Sequence, residues 1–285
     1  MQYVTLRAGM DDVNFGDAHF KRTDNAKAIY NPLVGNFIMD SFSTEPFMEA
    51  NVQYNGILGV LGVSNGKLNQ TTVTKDGVDN TLSYYAKVGF DKQLNEDLRV
   101  RVTGSIYTNS GKSTGGYLYG GDRAGDRYYN VGITTVEADA GVNFVSARAN
   151  ARFNSGFKER TAMQFAGFVK FRGIESFTLF DLDSNSKDAG EGSYTQIAEE
   201  LVYRLGSKEN YFLAARYNTV SGNKTSDAKD QTITRINFGG GWFMTENVVT
   251  KIEYVTQSWA GDGFATSKWE GAKFSGIMIE AIIGF

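Results

Sequence analysis

The stretch Leu98-Arg-Val-Arg-Val-Thr-Gly-Ser-Ile-Tyr-Thr-Asn109 decides how the rest of the chain is read. Leu98, Val100, Val102, Gly104, Ile106 and Thr108 alternate with Arg99, Arg101, Thr103, Ser105, Tyr107 and Asn109. A period of two places the first set on one face of a β-strand and the second on the other. The segment 80–91 repeats the pattern, with Leu82, Tyr84, Ala86, Val88 and Phe90 facing one way and Thr81, Ser83, Tyr85, Lys87, Gly89 and Asp91 the other. Both exceed the five or six residues usual in globular strands. They match the nine to eleven that a tilted strand needs to cross a bilayer.

Working outward, strands are predicted near 3–15, 45–54, 57–65, 80–91, 98–109, 161–172, 174–183, 193–204, 209–219, 230–244, 247–258 and 271–285. The connections fall into two classes. Asn55-Gly56 is a two-residue hairpin signal, because both central positions of a type I′ turn need positive φ. Short links also occur at 93–97, Gly173, 205–208 and 245–247, whereas 16–44, 66–79, 110–160, 184–192, 220–229 and 259–270 are long. Short turns at one end and long loops at the other mark an up-and-down barrel.

Composition agrees. The chain has 285 residues, 33 glycines, two prolines and no cysteine. Glycine is about 12% where ~7% is usual, and proline is under about 1% where ~5% is usual. This excludes collagen, a proline-rich linker and a disulfide scaffold, and 41% hydrophobic residues with a net charge of only −3 argue against disorder. Proline removes a ladder donor, and Pro32 and Pro46 are both assigned to the first long loop. No run of roughly 20 apolar residues offers a spanning helix, the final 274–285 segment being broken by Glu280. No secretory signal opens the sequence at Met1, which is expected of a mature or truncated start or of a chain that is not exported. Phe90, Phe171, Phe238, Trp242 and Tyr254 lie near strand ends, where an aromatic girdle would sit.

The carboxyl terminus is the most specific segment. Ile277, Ile279, Ala281, Ile283 and Phe285 share one face, Gly276, Met278, Glu280, Ile282 and Gly284 the other, and Phe285 is last. This resembles the terminal strand of Gram-negative outer-membrane β-barrel proteins, and the whole chain is similar to a general porin. The resemblance implies an all-β fold, a transmembrane antiparallel up-and-down β-barrel spanning 1–285 as one domain. It would have about 12 strands here, and fourteen, sixteen or more if strands upstream are missing, with short periplasmic turns and long extracellular loops. It also implies a place in the bacterial outer membrane. The implied partners are outer-membrane lipid and lipopolysaccharide, small hydrophilic solutes, the barrel-assembly machinery through Phe285, and a homotrimer or complex partner.

Inward-facing candidates on these strands are Arg7, Asp11, Glu49, Lys87, Asp91, Arg99, Arg101, Lys170, Arg172, Glu200, Arg204, Arg216, Arg235, Lys251, Glu253 and Glu280. Mixed charge indicates a hydrated lumen, because a dry core would require a partner for each group. The excess of basic residues, with Arg7, Lys87, Arg99, Arg101, Lys170, Arg172, Arg204, Arg216, Arg235, Lys251 and Glu253 lining the pore, implies a mild anion preference. The loop 110–160 is the expected pore-constricting or capping insertion, with Asp122, Arg123, Asp126 and Arg127 at the constriction. The segment starting Phe15-Gly-Asp-Ala-His is a strand end entering a polar loop in which Arg22, Asp24 and Asn25 lie close together.

The function expected is a porin, a passive diffusion channel for small hydrophilic solutes or ions, not an enzyme, with no catalytic, cofactor or metal site. Two alternatives differ in class. One is a structural or interaction barrel of an outer-membrane complex with a plugged lumen; the other is an outer-membrane hydrolase using His19, the only histidine. Gly111-Lys-Ser-Thr114 lacks the phosphate-loop glycine, since Ile106 stands in its place. Asp181-Leu-Asp183 starts like a calcium loop, but Ser186 and Gly192 stand where glycine and glutamate are required. No basic aromatic platform suggests nucleic acid.

Overall fold

The computed structural model describes residues 3–24, 27–65, 81–111, 117–121, 125–132, 135–137, 141–143, 148–185 and 190–284, with the backbone alone at 117 and within 132–150. The first long strands are β1 (Val4–Asp12), β2 (Thr44–Tyr54), β3 (Ile57–Ser64), β4 (Ser83–Gln93) and β5 (Leu98–Asn109). Four three-residue strands follow: β6 (Asn130–Gly132), β7 (Thr135–Glu137), β8 (Gly141–Asn143) and β9 (Arg148–Asn150). The remaining long strands are β10 (Arg160–Phe171), β11 (Ile174–Ser184), β12 (Ser193–Leu205), β13 (Tyr211–Asn223), β14 (Gln231–Thr245), β15 (Val248–Ala260) and β16 (Lys273–Ile283).

The twelve long strands form one antiparallel sheet in chain order, β5 pairing directly with β10. The short strands make two small pairs, β6 with β9 and β7 with β8, inside the 110–160 connection. That segment has its own hairpin, with Val136 in register opposite Val142, where the sequence reading allowed a short extra strand or an inserted helix at 136–144. Long-strand positions agree with the periodicity to within a few residues. Asn55 and Gly56 take φ of 49° and 89°, as a type I′ turn requires. Pro46 is a correction: it lies within β2, opposite Met10, one residue before pairing with β3 begins at Phe47. At that margin a missing donor costs least.

The outer face is apolar along the sheet, with Leu61, Val88, Val102, Phe165, Ile236 and Ile279 exposed. Toward the short-turn end Tyr3 packs edge-on against Tyr54 at 5.1 Å, and Tyr211 stacks on Trp242 at 5.9 Å, the aromatic placement that suits a lipid–water boundary. Phe165 also covers the bare backbone of its cross-strand partner Gly104, whose absent side chain would lie 3.3 Å from the ring. The opposite face turns polar residues inward. On β12 and β13, Gln196, Glu200, Arg216 and Asn218 are buried there.

Among the described residues β1 pairs with β2 alone, and β16 with β15 alone. β1 is exposed on both faces from Val4 to Asp11.

A cation on the lipid face tests this orientation. Phe165→Lys, near the middle of β10, is expected to lower unfolding stability in phospholipid vesicles by about 2–4 kcal/mol. A urea titration followed by tryptophan fluorescence measures it, and an unchanged midpoint would refute a lipid-facing β10.

Candidate functional site

The interior between β4 and β15 is occupied by the first long loop, residues 13–43. Its apolar residues Phe15, Leu33, Phe37, Ile38, Met39 and Phe42 are buried, so burial draws the segment inward. Two short 3₁₀ turns, Ala18–Lys21 and Lys27–Tyr30, fold it back on itself. Such a loop brings many backbone polar groups out of water, and each needs a partner.

The barrel wall supplies them. Gln164 Oε1 on β10 accepts the Asp17 and Ala18 N–H groups at 2.6 and 3.0 Å. Gln196 on β12 accepts the Met39 N–H and donates to its carbonyl, at 2.8 and 2.6 Å. Asn218 on β13 accepts the Ile38 N–H at 2.7 Å, and Glu253 on β15 accepts the Val34 N–H at 2.6 Å. Arg216 and Arg235 donate to the Gly35 and Asn36 carbonyls, each at 2.7 Å. Lys251 donates to the carbonyls of Ala28, Asn31 and Leu33. The wall therefore reads the loop mainly through its backbone.

Ion pairs fix the ends of the insertion. Asp17 receives Arg101 Nε at 2.7 Å and Thr103 Oγ1 at 2.9 Å. Burial disfavours its charge, but the Arg101 hydrogen bond and the Lys87 charge prevail and hold its carboxyl down at about 2. Lys21 pairs with Glu200, which also binds Arg216. Arg22 is fully buried between Asp40 and Asp126, with Asp24 at 3.3 Å and the Phe42 ring 4.3 Å away. Burial opposes the Arg22 charge, yet Asp40, Tyr128, Asp126 and Asp24 raise its pKa further. Burial pushes the Asp40 carboxyl up.

Residues 118–121, 125–129 and 151–157 lie over this layer. The Asn36 N–H donates to the Arg127 carbonyl at 3.0 Å, Phe42 N–H to Leu118 at 2.7 Å, and Phe153 N–H to Ile38 at 2.7 Å. Arg152 donates to the carbonyls of Gly121 and Asp40.

The predicted residues thus divide. Lys87, Arg216, Arg235, Lys251 and Glu253 are buried against the inserted loop. Arg101 is half-buried on Asp17, and Arg7, which pairs with Glu49, is exposed on β1. Arg99, Lys170, Arg172 and Arg204 lie toward the short turns, pairing with Asp91, Glu209, Asp97 and Glu175. Asp126 and Arg127 join the overlying layer, Arg127 also reaching Glu280 at 3.1 Å. Asp122, Arg123, Phe285 and the 112–114 stretch lie outside the described residues. Asp181 and Asp183 point inward from β11, bonded to Gln164, Gln196 and Ser155. The reading by charge missed Gln164, Gln196, Asn218 and Gln257, although each sits at an inward position of its strand, where a neutral amide in the two-residue period is the available signal.

His19 is buried beside Phe20, ring centroids 3.9 Å apart, with Nδ1 3.1 Å from the Phe15 carbonyl. Any catalysis through it requires that ring to meet a substrate.

No family model matches the sequence, and no curated protein matches it. Solved structures do. OmpT of Vibrio cholerae folded in vitro aligns at 11% identity with a TM-score of 0.52, over 98% of this chain and 75% of that one. Outer-membrane expressed OmpT of Vibrio cholerae gives 10% and 0.53 over 99% and 77%. A trimer form gives 12% and 0.52 over 99% and 77%. The chain has the fold of a bacterial outer-membrane β-barrel. At such identity the likeness carries the fold alone.

Two expectations are corrected here. The expectation of a passive open channel is corrected, because from β4 to β15 the wall charges meet the inserted loop. The expectation that the chain is not an enzyme is withdrawn with it. The similar barrels are described as outer membrane proteins named OmpT, which supplies neither passive conduction nor an absence of catalysis.

Burial, then the Lys87 charge, holds the His19 pKa well below 6.5. A histidine depressed in the folded state gives stability that is full above its unfolded pKa and is lost as pH falls below it. Lowering pH from 7.5 to 5.5 should therefore weaken loop docking through this group. Limited proteolysis of the 13–43 segment measures it, with His19→Gln removing that part of the pH dependence.

Proposed function

We propose that this protein is a structural or interaction barrel of the outer membrane whose interior is occupied by its own first long loop. The observation that carries this reading is the set of wall side chains, from Gln164 on β10 to Glu253 on β15, bonded to the backbone of residues 17–39. A solute path needs mobile water along the wall, and here loop carbonyls and N–H groups take its place. The barrel touches membrane lipid through its apolar face and lipopolysaccharide through its long loops. The trimer form of a similar barrel makes a homotrimer the first assembly to examine.

Arg22 is the lock of the plug. Removing it leaves Asp40, Asp24 and Asp126 without their shared cation, a loss of about 3–5 kcal/mol for a buried charge cluster. In planar bilayers the wild-type protein is expected to give no steady ion-conducting steps, and Arg22→Ala to give frequent openings. Steady wild-type steps equal to those of the variant would overturn the plugged reading.

A further inference from the structure

Gln164 and Gln196 each stand between an obligate donor and an obligate acceptor. Toward the loop, Gln164 Oε1 accepts the Asp17 and Ala18 N–H groups, and Gln196 Oε1 accepts the Met39 N–H. Away from it, both amides turn to one side chain on β11. Gln164 Nε2 donates to Asp181 Oδ1 at 2.6 Å, and Gln196 Nε2 donates to Asp181 Oδ2 at 2.7 Å. A backbone N–H can only donate and an ionised carboxylate can only accept, so the charge on Asp181 sets which end of each amide meets the loop. Asp181 is fully buried, and among the described residues no cation pairs with it. The titratable groups facing it are Asp40 of the loop, Asp183 of its own strand and Tyr119 of the overlying layer. The neighbouring cations are taken: Arg22 by Asp40, Arg160 by Asp183, and Lys21 and Arg216 by Glu200 on β12.

We propose that Asp181 is a proton-operated latch for the inserted loop. Ionised, it keeps both glutamine oxygens aimed at residues 17, 18 and 39. A proton taken from solvent forms one O–H bond on Asp181 and breaks none, turning an acceptor into a donor. The groups aimed at that oxygen are amide N–H groups, so the new donor finds an acceptor only when a glutamine turns its amide by half a turn. Donor then meets donor at the loop. If Gln164 turns, Asp17 and Ala18 lose their acceptor; if Gln196 turns, both of its bonds to the Met39 backbone are lost. Buried donors without partners disfavour the docked loop. The docked form therefore prefers ionised Asp181, and its stability falls as pH falls. The latch rests on the plugged reading proposed above; conductance tests the plug and amide exchange tests the latch, so a failure of either is seen separately.

His19 also ties docking to pH, so the test uses full-length His19→Gln protein in phosphatidylcholine vesicles. Exchange of the Asp17, Ala18 and Met39 amides is corrected for its intrinsic pH dependence. Protection at these amides should fall about tenfold or more between pH 7.5 and about pH 4, where even an ordinary aspartate is half protonated. Adding Asp181→Asn keeps the shape and supplies a permanent N–H donor. That variant should show the low protection already at pH 7.5, with a flat pH profile. Protection unchanged by acid in His19→Gln overturns the proposal with Asp181 intact. Full protection at pH 7.5 in the Asp181→Asn variant, or an acid step that survives it, overturns the proposal too. Lost protection along β10–β13 in that variant has the same force, because a neutral Asp181 would then undo the wall rather than the loop.

Discussion

Pairing of backbone groups without water governs this molecule twice. In the wall, strand ladders satisfy the N–H and C=O groups that hydrocarbon cannot. In the interior, the inserted loop has no ladder of its own, and amides, guanidiniums and an ammonium from successive strands stand in for one. The same inward side chains that a water-filled barrel would present to solvent here replace the hydration of a folded-in segment.

Charge follows from that arrangement. A buried cation is costly unless it is paired and hydrogen-bonded. Arg216 meets Glu200, a carbonyl and the Asn31 side chain, and it lies over the Phe37 ring at 4.3 Å. Arg22 collects three carboxylates. Such paired groups add little to net stability, because the cost of desolvating each charge offsets most of what pairing returns.

Much of the wall was legible in the sequence. The alternation in 98–109, the Asn55-Gly56 turn and the division into short and long links place the twelve strands, because a half-buried strand prints its two faces at every second residue. Inward charges such as Arg216 and Lys251 were legible for the same reason. Which loop enters the barrel was not. The 110–160 segment is longer, but length does not determine direction; the denser apolar content of Phe37-Ile-Met39 and its match to Gln196 and Asn218 do. Those amides carry no charge and sit some 160–180 residues away in sequence, so only the curvature of the sheet brings them to the loop.

That separation orders events in time. Val34 bonds to Glu253, 219 residues later, and Ala28 to Lys251, 223 residues later. Contacts so distant in sequence form slowly, because the intervening chain must first be ordered. The insertion cannot settle until β15 has joined the sheet, so the wall is assembled around an undocked segment. During that interval Phe37, Ile38 and Met39, buried in the finished fold, are without their native cover.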